Sequence, residues 1–236
     1  MREFKRQSRV LLIDDNADHL RGVKELITLE SSYEVVGTTT SANIGINLAK
    51  KYRPDIILMD VNMPEKDGLQ ALQDIEKLDF IDHCISKAEW YLKREETKKG
   101  QDLYRIAWFD VKDICKENNI KSISEYDEKY EGYDSLLNWL QDYDNLLEMC
   151  DEEDKLYERL ELWNSVEEIF DLKDEKNLYW KERTIREKAN TEFRLGNEEK
   201  ATKIIEEYLN EKGNWVWGYI EMADWYNNKR DEEHYN

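Results

Sequence analysis

Asp14 and Asp15 follow directly on an apolar run, Arg9-Val-Leu-Leu-Ile13, and Asp60 closes a second, Asp55-Ile-Ile-Leu-Met59. After Asp60 the chain reads Val-Asn62-Met63-Pro64-Glu-Lys-Asp67-Gly68. An acidic pair after one strand and a lone aspartate after another suggest a carboxylate pocket for a divalent cation and a phosphoryl group. Carboxylates held a few ångströms apart repel one another unless a cation neutralises them. Hard oxygen donors of this kind suit Mg²⁺, which keeps waters and an open position for a phosphoryl oxygen.

The elements that must position these acids alternate strand and helix over residues 9–78. Val10 to Ile13 reads as a strand covered on both faces. Leu20, Val23 and Ile27 give an amphipathic helix over 17–30, and Tyr33 to Thr38 a β-branched second strand. Ser41 is a candidate N-cap for a helix running to Tyr52, which Pro54 stops. Ile56 to Met59 makes the third strand, and Leu69, Leu72 and Ile75 keep helical spacing after the loop. A βαβαβα order implies a parallel sheet. Ligands of such sheets bind beyond the carboxyl ends of the strands. If the first and third strands are neighbours, Asp14, Asp15 and Asp60 converge at one edge.

Residues 9–78 thus resemble the first part of a response-regulator receiver domain, a flavodoxin-like α/β fold. The resemblance rests on Asp14-Asp15, on Asp60 at the end of an apolar strand, and on Met63-Pro64 and Asp67-Gly68. It implies a phosphorelay protein of a two-component system in which Asp60 accepts a phosphoryl group from a histidine kinase. It also implies Mg²⁺ held by Asp14, Asp15, Asp60 and the backbone carbonyl of Asn62. The family's Lys-Pro pair is absent, since no proline follows Pro64. Residues 80–88 offer a fourth strand that would place Ser86 as the switch hydroxyl. With only three strands the sheet is incomplete, and its third strand is an apolar edge that something must cover.

Composition changes near residue 80. Residues 1–78 hold 11 Lys+Arg and 13 Asp+Glu, a balance of −2, while the whole chain of 236 residues carries −19. All eight tryptophans follow residue 89, and both prolines precede residue 65. Two domains are therefore expected, 1–80 and 81–236. So acidic a second part disfavours nucleic acid as partner. No apolar stretch approaches the length needed to span a bilayer. Cys84, Cys115 and Cys150 show no paired pattern, which suits a cytoplasmic protein. His19, His83 and His234 are scattered, and no zinc site can be read from them.

Residues 81–236 read as all-α. Gly196-Asn197 and Gly213-Asn214 are helix stops, and Ala189 and Ala223 lie one 34-residue period apart. Residues 175–228 resemble tetratricopeptide repeats, with Arg194-Leu-Gly-Asn-Glu-Glu-Lys-Ala201 as an inter-helix turn. The resemblance implies a surface for a protein or peptide partner. Trp215, Trp217, Tyr219, Trp225 and Tyr226 are either its recognition surface or helix-packing core. With no nucleophile–base set and no glycine-rich phosphate loop, an enzyme is not expected. Two readings stand: a phosphoacceptor receiver coupled to a helical interaction region, or a non-phosphorylated scaffold with a remnant receiver.

Overall fold

The computed structural model describes residues 6–64 and 66–235, with side chains to residue 227. Three parallel strands, β1 (Ser8–Ile13), β2 (Tyr33–Thr39) and β3 (Ile56–Met59), form a sheet in the order β2-β1-β3. The first and third strands are therefore neighbours, paired from Val10↔Ile56 to Ile13↔Met59. Val10, Leu11, Leu12 and Ile13 are each at most 2% exposed, as a strand covered on both faces requires. On one face Val10 and Leu12 pack with Leu20 of α1 (Ala17–Thr28). On the other, α2 (Ala42–Tyr52) approaches so closely that a methyl group at Gly45 would overlap the Ile13 side chain. Ser41 caps α2 through Ile44 N, as its sequence position indicates. Arg53 ends α2 in a left-handed conformation (φ 43°) just before Pro54.

Helix α3 (Gly68–Leu92) is the expected helix, but it runs on through the residues that offered a fourth strand. Residues 80–88 are helical, so the described sheet has no fourth strand there. Ile81, Cys84, Ile85 and Ala88 are all buried at three- and four-residue intervals, a helical period that overrides the strand option. The helical spacing of Leu69, Leu72 and Ile75 holds, but of the three only Ile75 is buried. Ala71, Ile75 and Leu78 are buried, whereas Leu69 is 61% exposed. Leu72, Ile56 and Leu58 are exposed as well, so β3 remains an apolar edge strand among the described residues.

The chain divides into two compact units, and the compositional shift near residue 80 lies inside α3. The first unit comprises residues 1–114 and 124–139. Beyond the sheet it holds most of α4 (Thr97–Glu117), α5 (Ile123–Lys129) and the start of α6 (Leu136–Glu148). Asn47 donates to the Lys129 carbonyl (2.8 Å), and the Tyr133 amide donates to Asp82 (2.8 Å). Asp127 accepts the Leu136 amide (2.6 Å) at the start of α6. Burial pushes the Asp127 carboxyl up, and this amide together with that of Leu137 opposes the shift.

The second unit comprises residues 115–123 and 140–236. Its helices include α7 (Glu153–Ile169), α8 (Leu178–Arg194), α9 (Glu198–Lys212) and α10 (Val216–Tyr235). Gly196 and Gly213 take positive φ (81° and 65°) at the ends of α8 and α9, matching the two expected stops. Ala189 and Ala201 are fully buried in a cluster with Ile205, Tyr208, Trp215 and Trp225. The aromatic series therefore splits. Trp215 and Trp225 are core, while Trp217, Tyr219 and Tyr226 are more than half exposed.

Tyr208 provides a pH test of this packing. Burial, then the neighbouring Glu182 carboxylate that accepts its hydroxyl (3.1 Å), drives its pKa above the ordinary phenol value. A phenol held neutral in the folded state adds stability below the unfolded pKa of about 10, and that stability is lost as pH rises further. Melting temperature should therefore fall more steeply above pH 10 in the wild type than in Tyr208→Phe. Parallel curves for the two proteins would refute this account.

Candidate functional site

The site is built from the ends of two adjacent strands. The Asp60 amide donates to the Ile13 carbonyl (2.8 Å), so the β1–β3 ladder continues into the acids. The Asp14 amide donates to the Thr39 carbonyl (3.2 Å), which ties the same edge to β2. Carboxylate oxygens of Asp14, Asp15 and Asp60 all lie within 4.8 Å of one another. The three acids are thus brought together as their places after neighbouring parallel strands dictate.

Loop geometry fixes each of these groups. Asp60 Oδ1 accepts the Asn62 amide (3.2 Å), folding the residues after β3 back over the carboxylate. Asp67 caps α3 by accepting the Leu69 amide (2.8 Å). Gly68 donates its amide to the Val61 carbonyl (2.9 Å), and a Cβ on Gly68 would strike the Asp60 carbonyl oxygen. The Asp67-Gly68 pair thereby starts α3 directly against the backbone of Asp60. Lys66 pairs with Asp74, which is wholly buried on α3.

On the β1 side, Asp14 Oδ1 accepts the Asn16 amide (2.9 Å). Asn16 Oδ1 in turn caps α1 by accepting the amides of Asp18 (3.0 Å) and His19 (3.1 Å). This turn brings His19 Nδ1 against Asp14 Oδ2. The contact of His19 with Asp14 is not readable from the sequence, where the histidine stands isolated. A cavity of about 560 Å³ beside β3 is lined by Asp14, His19 and Asp60 together with Leu20, Leu58 and Leu72.

Ser86 is not part of this cluster. It lies on α3, where its hydroxyl donates to the His83 carbonyl (3.1 Å). It lines a separate cavity with Arg53 and Pro54, which precede β3 while Asp60 follows it. The switch-hydroxyl reading depended on a fourth strand, and the helical period of residues 81–88 removes it.

The donor set suits Mg²⁺. It is all oxygen, it is crowded with like charge, and it sits on backbone held by strand pairing.

The family model for the response regulator receiver domain matches residues 10–85. Chemotaxis protein CheY of Thermotoga maritima is 39% identical over 114 residues, 47% of this chain and 94% of the relative. The chain belongs to the response regulator receiver family. The nitrate/nitrite response regulator protein NarL of Escherichia coli (strain K12) is 41% identical over 110 residues, 45% of this chain and 51% of NarL. A protein-glutamate methylesterase/protein-glutamine glutaminase of Caldanaerobacter subterraneus is 42% identical over 75 residues, 32% of this chain but only 20% of that enzyme. The chain thus spans about half or less of the larger of these relatives. No solved structure matches. In the receiver, the family match covers β1 through most of α3, and among the described residues no helix is long and apolar enough to cross a membrane.

Proposed function

We propose that this receiver is a phosphoacceptor in a two-component signalling pathway, with Asp60 as the residue that takes the phosphoryl group. One observation carries this reading: the carboxylates of Asp14, Asp15 and Asp60 converge at the carboxyl ends of adjacent parallel strands. Asp14 and Asp15, with an oxygen of Asp60 and the Asn62 carbonyl, would hold Mg²⁺. When bound, that ion offsets the repulsion between carboxylate and phosphoryl oxygens. An Asp60 oxygen attacks phosphorus, its new P–O bond forms as the P–N bond to a phosphohistidine of a histidine kinase breaks, and the imidazole leaves. The Asn62 amide holds Asp60 Oδ1, which fixes the orientation of the attacking carboxylate.

Residues 81–236 are read as the part that meets a protein or peptide partner in the cytoplasm, in the manner of tetratricopeptide-like repeats. A groove of about 520 Å³ along α7, α8 and α9, lined by Lys181, Lys188, Glu192 and Glu207, supports that reading. Its mixed charge and the acidity of the region do not favour nucleic acid. No enzymatic activity is assigned, because the match to the methylesterase lies in a segment covering 20% of that enzyme.

The test is incubation with a small phosphodonor such as phosphoramidate. With Mg²⁺ the protein should gain one acid-labile phosphate, and Asp60→Asn should gain none. Equal incorporation by the variant, or none by the wild type, sinks the phosphoacceptor reading. The second reading is a non-phosphorylated scaffold whose receiver is a remnant, and the exposed β3 edge favours it. It expects no Mg²⁺-dependent change in melting temperature and a captured partner indifferent to Asp60→Asn.

A further inference from the structure

We propose that the open edge of β3 takes up an extended segment of a partner protein as an added strand, one whose short apolar run carries a basic residue at each end. The inference stands apart from the phosphoacceptor reading and does not depend on Asp60 gaining a phosphoryl group.

Among the described residues β3 pairs with β1 alone. The Asp60 amide goes to Ile13 of β1, so by strand alternation the amides and carbonyls of Ile57 and Met59 point to the open side. Such a row of unpaired groups is a template for another strand. Leu12 and Leu58 are register partners, yet Leu12 is 1% exposed and Leu58 is 45% exposed, so this face is covered at β1 and open at β3. One cavity of about 560 Å³ reaches β3 from the α1 side, between Leu20 and Leu58. Another of about 570 Å³ reaches it from α2 and α3, with Ala49 and Ile75 in its lining, and Ile57 borders both. A strand beside β3 would direct alternate side chains to one cavity and then the other.

Charge identifies the occupant. Asp55 precedes β3 and Asp60 follows it, about 17 Å apart along an extended chain. Asp60 stands with Asp14 and Asp15, and the pairing of Asp55 with Arg6 is solvent-exposed and contributes little. A second copy of β3 would set acid against acid in either direction: Asp55 against Asp60 if antiparallel, each against its own counterpart if parallel. A segment with Lys or Arg on both sides of its apolar run meets the two acids with opposite charge instead. Between the acids, Ile56 to Met59 are all apolar and are matched by β-branched or apolar side chains across the strand pair.

The probe is the capped hexapeptide Lys-Val-Thr-Val-Val-Lys, titrated against the full chain in EDTA, because divalent ions would neutralise the same acids. One control replaces both lysines with glutamate, and another N-methylates alternate amides to block strand pairing. The lysine peptide should bind, and each control should bind about 10-fold or more weakly, the equivalent of one or two lost hydrogen bonds. Leu58→Lys should weaken the lysine peptide by a similar factor. In the wild type, saturation with peptide should slow hydrogen exchange at the Ile57 and Met59 amides, a readout that holds even where Leu58→Lys fails to fold. No binding, equal binding of either control, or slowing only at other amides overturns the inference. A dimer in sedimentation without peptide, dissolved by Leu58→Lys, assigns the edge to a second copy and overturns it as well.

Discussion

Replacing Arg159 with alanine is expected to destabilise the helical unit by about 3–5 kcal/mol, the usual cost of removing one partner of a buried ion pair. Arg159 is wholly buried on α7. Its guanidinium donates to Asp144 Oδ1 (2.8 Å), Glu187 Oε2 (2.7 Å) and Asn190 Oδ1 (3.2 Å). Asp144 also accepts the Trp163 indole (2.7 Å) and Arg183 (3.2 Å), so α6, α7 and α8 share one polar knot. Burial works against the Arg159 charge, but Asp144 and Glu187 more than offset it, and the group stays protonated. Alanine would leave two buried carboxylates facing each other.

The pH dependence follows from Glu187. Burial first, then Asp144, pushes its carboxyl up, and Arg159 and Arg186 oppose the shift. A carboxyl raised in the folded state contributes stability at low pH that is lost as pH rises through its folded value. Without Arg159 the upward push grows, so the deficit of the variant should shrink as pH is lowered from 8 towards 5. Urea unfolding followed by tryptophan fluorescence and circular dichroism checks both points. A loss below about 1 kcal/mol at pH 8 would show that the knot contributes only what surface pairs do.

The second large effect is expected from Gly68→Ala. In an open helix, alanine is favoured over glycine by about 0.5–1 kcal/mol. At Gly68 the added Cβ meets the carbonyl oxygen and carbon of Asp60 and the Cα of Val61, all backbone atoms that cannot rotate aside. Overpacking against a fixed neighbour costs about 1–3 kcal/mol, so the clash outweighs the helical gain. The start of α3 must move away from β3, and Asp60 with it. Mg²⁺ affinity should fall about 10-fold or more, as it does when groups that orient metal ligands are disturbed. A variant that melts higher than wild type and binds Mg²⁺ normally would overturn this account.

These residues also show what can be read from a sequence and what cannot. Asp14, Asp15 and Asp60 were legible because they follow short apolar runs, but the adjacency of the first and third strands was only a condition in the sequence, and the order β2-β1-β3 is what meets it. Gly196 and Gly213 were legible because a left-handed helix stop is a local demand. Residues 80–88 were ambiguous: Asp82 and His83 break a strand, and Ile81, Cys84, Ile85 and Ala88 fit a helix better. Leu69 and Leu72 marked the helix correctly but not its burial, because apolar spacing marks a stripe without saying whether anything covers it. The contact of His19 with Asp14 depends on the turn that Asn16 makes, which spacing alone does not show. Arg159 stands three residues after Leu156 and four before Trp163, on the buried stripe of α7. A lone cation there signals a buried pair, but its partners are 15 and 28 residues away and only packing selects them.

Helix α3 begins against the Asp60 carbonyl and runs unbroken for 25 residues to Leu92. At about 1.5 Å per residue it is a rod roughly 37 Å long whose first turn rests on the peptide unit of Asp60. A tilt of about 5° at that turn carries the far tip through about 3 Å, far more than the displacement that caused it. A proline at exposed Lys87 would break this rod between its end at Asp60 and Leu92.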